Sequence, residues 1–348
     1  MNQRILSGIT PSGSLTLGNY LGALKRFAES SAASSAESGK GGDGTFFVAD
    51  LHAMTTPHDP ARLRILTRET AQLFLASGID PDRSTVFVQS QVPEHVALGY
   101  LLECTAHIGE LGRMVQFKEK GQRPRTRASL FTYPCLMAAD ILLYETDAVP
   151  VGGDQDQHVE LARDLAVRFN RTYGETFVVP ALSRAAIASR IADLTDPTSK
   201  MHKSAPDQAA GVVRMLDPPD VVRRKIMRAT TDSESQVTYD PLTRPGVSNL
   251  LVILASCTGL GSPADVASRY DSYAALKADV AEAVIAMLQP IQTRYATLQA
   301  DPQQVDKVLA SGARKASADE IEANPRAESV RLRAIEAIDA VGVGERAS

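Results

Sequence analysis

The sequence contains no tryptophan and only three cysteines among its 348 residues. Cys104, Cys135 and Cys257 are widely separated and form no CxxC pair, which argues against a disulfide framework and against a cysteine-based zinc site. No apolar run is long enough to cross a bilayer, and the first residues reach glycine and proline too early for a signal peptide. We therefore predict a cytoplasmic protein with no membrane partner.

The sequence also lacks an excess of basic residues. The 37 lysines and arginines are outnumbered by 41 aspartates and glutamates, which gives a formal net charge of −4. A protein that wraps nucleic acid is usually basic, so any contact with nucleic acid here must use a local patch. The content of 44% hydrophobic and 22% charged residues is ordinary for a globular protein, and the length suggests roughly two domains.

Strand-like and helix-like segments alternate in the first part of the chain. Three apolar runs, 4–9, 45–56 and 84–92, read as strands, and a helical pattern follows each one. Residues 146–170 repeat the order of strand, glycine turn and helix. This alternation predicts an α/β fold with a Rossmann-like, doubly wound parallel sheet, in which ligands bind beyond the carboxyl ends of the strands.

The second part of the chain has a different character. Strand signals fade from about residue 209, and helical patterns dominate afterwards. We predict one domain over residues 1–208 and a C-terminal α-helical domain over 209–348. The basic segment 105–131 is predicted to be a mobile connection, and the Ser/Ala/Gly-rich stretch 30–44 a loop or a frayed helix end.

Glycine turns follow two of the predicted strands. In "TPSG" (10–13), backbone N–H groups approach a helix N-terminus, where anions are favoured, and Gly18 and Asn19 follow closely. In "GGDQ" (152–155), the glycines permit close backbone approach and the next two side chains offer polar contacts. Each turn alone also fits an ordinary strand–helix connection, but two such turns on one sheet favour a ligand site.

Two further features are charged residues in positions that suggest a structural or ligand-binding role. Asp140 lies inside an apolar helical segment, where a carboxylate is costly without a partner. It either forms a buried ion pair or backbone bond, or accepts a hydrogen bond from a substrate. Lys200 and Lys203 flank Met and His in "KMHKS". That stretch is either a solvated turn or a mobile clamp for phosphate.

Eight stretches in order along almost the whole chain carry a resemblance to one family. They read SGITPSGSLTLGNYLGA, VADLHAMT, FVQSQVPEH, GELGRMVQFK, YPCLMAADILLY, VPVGGDQDQHVELARDLAVRFN, DPTSKMHKS and GVSNLL. The chain thereby resembles the bacterial-type tryptophanyl-tRNA synthetases, which are class I aminoacyl-tRNA synthetases. "TLGN" (16–19) matches the HIGH signature of that class, and "KMHKS" (200–204) matches its KMSKS loop.

The resemblance implies a ligand set and site residues. The expected ligands are L-tryptophan, ATP with Mg²⁺ and tRNA-Trp, and the expected assembly is a homodimer. ATP is expected to contact Thr10, Pro11, Ser12, Gly18, Asn19, Gly152, Gly153, Asp154, Ile191, Lys200, Met201, His202, Lys203 and Ser204. Tryptophan is expected to contact Asp140, Met137, Tyr133, Gln155 and His52, with Asp140 accepting the indole N–H. Asn19, Lys200, Lys203 and Ser204 are the expected catalytic residues.

The implied reaction needs no protein nucleophile. The carboxylate of tryptophan attacks the α-phosphorus of ATP, pyrophosphate leaves, and a terminal ribose hydroxyl of tRNA then attacks the adenylate. Positioning and charge stabilisation supply the catalysis. Residues 1–208 would be the catalytic domain, with a dimer or tRNA contact in 105–131, and 209–348 would bind the anticodon.

One helical stretch is the expected site for tRNA. Arg223, Arg224, Lys225 and Arg228 fall near one helix face, which is either a solvated surface or a tRNA contact.

The chain departs from the family pattern at three positions and leaves rival functions open. Thr10, Gly153 and His202 stand where the family usually has Gln, Glu and Ser, which would suit an auxiliary, inhibitor-tolerant copy of the enzyme. A tyrosyl-tRNA synthetase is the nearest rival, because it shares the fold and a similar helix with Asp. The other rival is a paralogue that binds tryptophan or RNA without charging activity.

Overall fold

One parallel sheet forms the centre of the N-terminal part of the protein. The computed structural model describes residues 5–33, 44–121, 125–144, 148–150, 156–183, 191–234 and 236–317. The strands within these ranges are β1 (Ile5–Ile9), β2 (Gly44–Val48), β3 (Ser84–Val88), β4 (Ala148–Pro150) and β5 (Ala181–Ser183). Their order is β3-β2-β1-β4-β5, and all pairs are parallel. The strand order reverses at β1, so the predicted doubly wound sheet is confirmed.

Helices cover the sheet and form the C-terminal part. They are α1 (Leu17–Asn19), α2 (Lys25–Ala33), α3 (Asp50–Ala53), α4 (Pro60–Ala76), α5 (Glu94–Thr105), α6 (Ile108–Leu111), α7 (Val115–Lys120), α8 (Ser129–Leu142), α9 (Asp156–Tyr173), α10 (Pro219–Met227), α11 (Pro245–Thr258), α12 (Pro263–Ala267), α13 (Tyr273–Ala300) and α14 (Pro302–Ala316). From α10 onward the described chain is helix and loop, so the predicted C-terminal helical region is confirmed. None of the helices in the described residues has the length and apolar character needed to cross a membrane.

Two of the predicted strands are shorter than their apolar patterns suggest. β2 ends at Val48 and β3 at Val88, where the sequence predicted strands as far as residues 56 and 92. Asp50 explains both ends, because its carboxylate accepts hydrogen bonds from the backbone N–H of Leu51 and of Ser90, each at 3.0 Å. Backbone donors bonded to a side chain cannot continue a ladder between strands.

The helix after β1 contains an irregular turn at its start. Tyr20–Leu24 forms a π-helical turn between α1 and α2, in which the N–H of Lys25 donates to the carbonyl of Tyr20. Such turns occur most often as single interruptions of α-helices, frequently at functional sites. This interruption lies directly after the stretch that matched the HIGH signature.

Helix α4 begins and ends where its sequence predicts. The Asp59 side chain accepts from the N–H of Ala61 at 3.0 Å, and Pro60 occupies the first helical position. Gly78 follows the last turn with φ of 103°, a backbone conformation that favours glycine. The helix packs against β2 and β3 and thereby fixes one face of the sheet.

The basic segment 105–131 is more ordered than the sequence predicted. Within its described part, α6 and α7 replace the expected mobile connection. Glu110 of α6 pairs with Arg168 of α9, and a second bond between them measures 3.0 Å. Burial opposes ionisation of Glu110, but the hydrogen bond from Arg168 is the larger effect, and the pKa of this carboxyl is lowered. The charges in this segment therefore serve partly to hold helices together.

The hydrophobic core does not divide at residue 208. One cluster of buried side chains includes Ile9 and Leu24 from the sheet region together with Leu250 and Val284 from the C-terminal helices. Helix α14 also returns to the sheet and packs on β3. The two predicted domains are thus joined by a shared core.

Candidate active site

The turn after β1 leads into a helix through a reciprocal cap. The Thr16 hydroxyl accepts from the backbone N–H of Asn19 at 3.3 Å, and the Asn19 side-chain oxygen accepts from the N–H of Thr16 at 3.0 Å. The same oxygen also accepts from the Thr16 hydroxyl. Asn19, predicted to bind ATP, is therefore held by the cap through its oxygen, which leaves its NH₂ group as the donor for a ligand.

The lysine loop packs directly against this turn. Lys203 donates a hydrogen bond from Nζ to the backbone carbonyl of Thr10 at 2.5 Å. Gly13 is in such close contact that a Cβ at this position would lie 2.0 Å from the backbone oxygen of Lys203. Pro11 is buried and Ser12 is exposed in the same turn. The structure thus brings together two stretches that the sequence separates by about 190 residues.

The two lysines of the loop have different environments. Lys200 is exposed, whereas burial lowers the pKa of Lys203 to about 8, with a smaller contribution from the charge of Lys200. His202 and Ser204 are exposed on the same loop, and Met201 is buried. The loop therefore turns alternate side chains outward while one ammonium points into the protein.

A buried arginine fixes the chain that follows the loop. Arg214 donates to the carbonyls of Ala205 and Pro206 at 2.8 and 2.9 Å, and to those of Asp207 and Ser14 at 3.3 and 3.2 Å. One guanidinium thus ties the end of the lysine loop to the turn after β1. The sequence reading assigned no role to this residue.

A second anchor holds the other side of the loop. The Asn249 side chain accepts from the N–H of Ala192 at 2.9 Å and donates to its carbonyl at 3.1 Å. Ile191, next to it, accepts from the N–H of Met201 at 3.1 Å. A Cβ at Gly18 would lie 3.5 Å from Ile191 and 3.6 Å from Met201. Three predicted ATP-binding residues therefore lie together in the fold.

Asp140 is buried at the carboxyl edge of the sheet with three side-chain partners. Its carboxylate accepts from His52 Nε2 at 2.8 Å, from Gln89 Nε2 at 2.7 Å and from His95 Nδ1 at 2.6 Å. Burial opposes ionisation, but the bonds from His52 and His95 outweigh it and lower the pKa of Asp140 to about 2. A further bond joins His95 Nε2 to the Tyr144 hydroxyl at 2.8 Å.

Other residues predicted to contact tryptophan lie close to this carboxylate. Tyr133, Met137 and Asp140 are spaced for one face of α8. The Tyr133 hydroxyl bonds His158 Nε2 at 2.6 Å, and its ring meets that of His52 edge-on at 6.1 Å. Burial raises the pKa of Tyr133 to about 12. Four residues predicted to contact tryptophan are therefore neighbours, whereas Gln155 lies outside the described residues, as do Gly152, Gly153 and Asp154.

Lys225, predicted to contact tRNA, does not share with the three arginines the exposed helix face that the sequence suggested. Its side chain is buried, and Nζ donates to Asp217 Oδ2 and to the carbonyl of Val212, both at 2.7 Å. The reason is helical periodicity, because Lys225 shares the core-facing side of α10 with Val222 and Ile226. The ammonium of Lys225 therefore anchors α10 to the preceding chain and does not contribute to an exposed basic surface.

The three arginines of the same helix region remain on the surface. Arg223 pairs with Glu282 of α13 at 2.6 Å, and Arg224 lies 4.0 Å from Asp220 one turn earlier. Arg228 is exposed just beyond the end of α10. All three guanidinium groups are accessible to an anionic partner because their side chains are exposed. Exposed ion pairs contribute little to stability, so exchanging them for another anion costs little.

Sequence reasoning missed the partners of Asp140. Gln89 and His95 lie within FVQSQVPEH, which carried the resemblance without any assigned role, and Tyr144 ends YPCLMAADILLY. Each is polar in an apolar stretch and close to a predicted strand or helix end. That signal marks a candidate, but only the fold shows that Gln89 and His95 bond one carboxylate and that Tyr144 bonds His95.

Comparisons with known proteins identify the family of this chain. The family model for class I tRNA synthetases (W and Y) matches residues 1–289. The chain is 57% identical over 320 residues to a protein named tryptophan–tRNA ligase 1 from Streptomyces coelicolor, which covers 90% of this chain and 93% of that protein.

Solved structures show the same likeness over nearly the whole length. The tryptophanyl-tRNA synthetase of Mycoplasma pneumoniae superimposes with a TM-score of 0.83 at 36% identity, covering 97% of both chains. That of Campylobacter jejuni, complexed with ADP and tryptophan, gives a TM-score of 0.76 at 30% identity, covering 97% of this chain and 98% of the other.

Proposed function

The chain belongs to the class I tRNA synthetases for tryptophan and tyrosine, and within that family we propose that it is a tryptophan–tRNA ligase. It activates L-tryptophan with ATP to form tryptophanyl-adenylate and pyrophosphate, and then transfers the amino acid to the 3′ end of tRNA-Trp. The 57% identity to a protein of that name supports tryptophan over the tyrosyl alternative.

The observation that carries the choice of amino acid is the buried carboxylate of Asp140. Three side chains bond it, and the bonds from His52 and His95 keep it ionised. Tyr133 and Met137 are spaced for the same face of α8. An ionised carboxylate is an acceptor only, so it would pair with the indole N–H. The phenol of tyrosine would present a hydroxyl at a different place, and phenylalanine would present no donor. A site built to bond a substrate N–H discriminates strongly against analogues that lack it.

The lysine loop and the turn after β1 would hold ATP. Lys203 reaches the carbonyl of Thr10 across the mouth of this turn, and Lys200 lies exposed beside it. As the carboxylate of tryptophan attacks the α-phosphorus, negative charge moves onto the departing pyrophosphate. Two ammonium groups on one loop would stabilise that charge where it develops. The other proposed ATP contacts are Pro11, Ser12, Gly18, Asn19, Ile191, Met201, His202 and Ser204, together with Gly152, Gly153 and Asp154 outside the described residues.

Magnesium would reach this site with the nucleotide. Within the described ranges, no group of three or more His, Cys, Asp or Glu side chains is arranged to hold a metal ion. Mg²⁺ commonly keeps several waters and binds through substrate phosphates, so these residues fit an ion carried by the triphosphate. When bound, it would neutralise part of the phosphate charge, a task shared with Lys200 and Lys203.

The C-terminal helices would bind tRNA, and a second copy would complete the assembly. We assign catalysis to residues 1–208 and anticodon binding to 209–348, with Arg223, Arg224 and Arg228 as phosphate contacts. Val96, Tyr100, Ile108 and Val115 are large apolar side chains exposed on α5 and the two short helices that follow. Exposed apolar side chains on three consecutive helices support a homodimer. Charging of tRNA would take place in the cytoplasm.

The three departures from the family pattern support a narrower proposal. Lys203 bonds the backbone of residue 10, so this contact does not require a particular side chain there. A threonine in place of glutamine would alter side-chain contacts to a tryptophan-like inhibitor while the loop still docks. We expect Thr10→Gln to be inhibited more strongly than the unaltered protein by an indole-type inhibitor. Equal inhibition would contradict an inhibitor-tolerant copy.

Pyrophosphate exchange tests the proposed function. The purified protein is incubated with ATP, labelled pyrophosphate and one amino acid at a time. We expect exchange with tryptophan and little with tyrosine. Exchange with tyrosine alone would indicate the tyrosyl alternative, and tryptophan binding without exchange would indicate a paralogue without charging activity.

A further inference from the structure

The two oxygens of Asp140 are used unequally. Oδ1 accepts from both Gln89 and His95, whereas Oδ2 accepts from His52 alone. A carboxylate offers about four lone-pair positions, two on each oxygen. With its described partners in place, both lone pairs of Oδ1 are used and one lone pair of Oδ2 remains. Oδ2 is therefore the oxygen that a ligand N–H would reach.

The partners of Asp140 differ in how deeply they are buried. Gln89 and His95 are 0% exposed, whereas the His52 side chain retains 14% exposure. Both anchoring side chains come from the chain just after β3, in the turn Gln89–Gln91 and in α5. His52 comes from α3, directly after β2. The carboxylate is thus held from behind by buried groups and bounded in front by a partly exposed one.

Asp140 fixes the direction of one hydrogen bond at His95. An ionised carboxylate only accepts, so Nδ1 must carry the proton that bonds Asp140. Nε2 bonds the Tyr144 hydroxyl at 2.8 Å, a group that can either donate or accept. Burial, with smaller contributions from Asp140 and Glu94, raises the pKa of Tyr144 well above 10, so this phenol keeps its proton.

The imidazole is also enclosed on its faces. The rings of Phe47 and Phe87 lie 5.8 and 5.7 Å from that of His95, centroid to centroid, and the ring of Tyr144 lies at 5.6 Å. A flipped imidazole would place a carbon against Asp140 and a carbon against Tyr144. Packing and hydrogen bonds therefore select one orientation of the ring, with Nδ1 toward Asp140 and Nε2 toward Tyr144.

We propose that His95, oriented by Tyr144, is a positioning residue for amino-acid selection: it aims Asp140 so that Oδ2 meets the indole N–H. The inference rests on the proposed function, because it assigns the selection step of that same site. His95 itself does not touch the substrate and acts through the carboxylate. Removing its bond would let the carboxylate turn about Cβ–Cγ, and the preference for a ligand with an N–H would fall.

The test compares two ligands that differ only at the group in question. One is L-tryptophan, and the other is its analogue with sulfur in place of the indole N–H. Dissociation constants for both are measured by isothermal titration calorimetry. The variants are His95→Phe, which keeps a ring and removes both nitrogens, and His95→Asn, whose amide nitrogen replaces Nδ1. Tyr144→Phe removes only the hydroxyl, and thermal unfolding checks that each variant is folded.

A matched control is available elsewhere in the chain. Tyr173 ends α9, and its hydroxyl has no hydrogen bond among the residues that the structure describes. Tyr173→Phe therefore removes the same atom without touching the network. We expect it to leave both dissociation constants unchanged.

The expected result is a change in preference rather than in overall affinity. The unaltered protein should favour tryptophan by at least about tenfold, the order expected when a buried acceptor loses its donor. His95→Phe should reduce that preference by about fivefold or more, Tyr144→Phe should reduce it less, and His95→Asn should largely restore it.

Two different failures are distinguishable. If His95→Phe and Tyr144→Phe weaken both ligands equally, or change neither, His95 has only a structural role and the inference is overturned; where His95→Phe does not fold, Tyr144→Phe alone decides. If the unaltered protein binds both ligands equally, the proposed role of Asp140 fails first and the role of His95 fails with it.

Discussion

At the scale of single residues, two charged side chains of the proposed site are held by contacts inside the protein. Lys203 has its ammonium against the carbonyl of Thr10, and Asp140 has its carboxylate among two histidines and an amide. Both residues stood out in the sequence because a charge lay in a motif or an apolar helix. Their partners did not, because contacts between residues 45 to 193 positions apart leave no local pattern.

Removing Lys203 tests the charge at the lysine loop. We expect Lys203→Ala to lower tryptophan-dependent pyrophosphate exchange by about 10²-fold, the loss typical of one donor that stabilises transition-state charge. Affinity for tryptophan should stay unchanged, because the proposed tryptophan contacts lie on other elements. Lys307→Ala, an exposed lysine of α14, is the control. Similar rates for both variants would contradict the role of Lys203.

The lowered pKa of Lys203 predicts proton uptake when ATP binds. With a pKa of about 8, the amine of the free protein is mostly neutral at about pH 9. A bound triphosphate favours the charged form and raises this pKa. Binding therefore takes up a proton at pH values between the pKa of the free protein and that of the ATP complex, and none well below about pH 7. Calorimetry in buffers of different ionisation enthalpy measures the uptake. Its presence at about pH 9 in Lys203→Ala would show that another group is responsible.

At the scale of elements, the lysine loop is fixed at both ends and docked in the middle. Arg214 and Asn249 hold its two sides through backbone groups, and Gly13 lets it approach the turn after β1. The positions of β1 to β3 and of most long helices along the chain were readable from apolar periodicity. Strand ends were not, since the Asp50 side chain terminates two ladders and periodicity carries no record of it.

A side chain at Gly13 should separate the loop from the turn. In Gly13→Ala the new Cβ would meet the backbone oxygen of Lys203 at 2.0 Å, so one of the two segments has to move. We expect slower adenylate formation in a protein that remains folded. Gly22→Ala is the matched control, because a Cβ there meets nothing within 4 Å. Full activity of Gly13→Ala would mean that this docking is not needed for the reaction.

At the scale of the whole molecule, the chain closes on itself. The core crosses residue 208, and α14 packs back onto β3 at the edge of the sheet. The sequence predicted a helical C-terminal region correctly but not where its last described helix would dock. An amphipathic helix indicates that one face is buried, and it does not indicate against which partner.

A matched pair of glycine substitutions tests this closure. A Cβ at Gly312 of α14 would lie 1.9 Å from the backbone oxygen of Val86 in β3. Gly312→Ala should therefore lower the free energy of unfolding by about 1–3 kcal/mol, as overpacking does. Gly109→Ala, where nothing lies within 4 Å, should not. Chemical denaturation compares them, and equal stability would place α14 away from the sheet in solution.

The most direct test of the central claim is charging of tRNA. The protein is incubated with ATP, Mg²⁺ and either tRNA-Trp or tRNA-Tyr, with labelled tryptophan or tyrosine in all four combinations. We predict that tryptophan is attached to tRNA-Trp and that the other three combinations stay near background. Attachment of tyrosine to tRNA-Tyr, or no charging at all by a protein that binds tryptophan, would contradict the account.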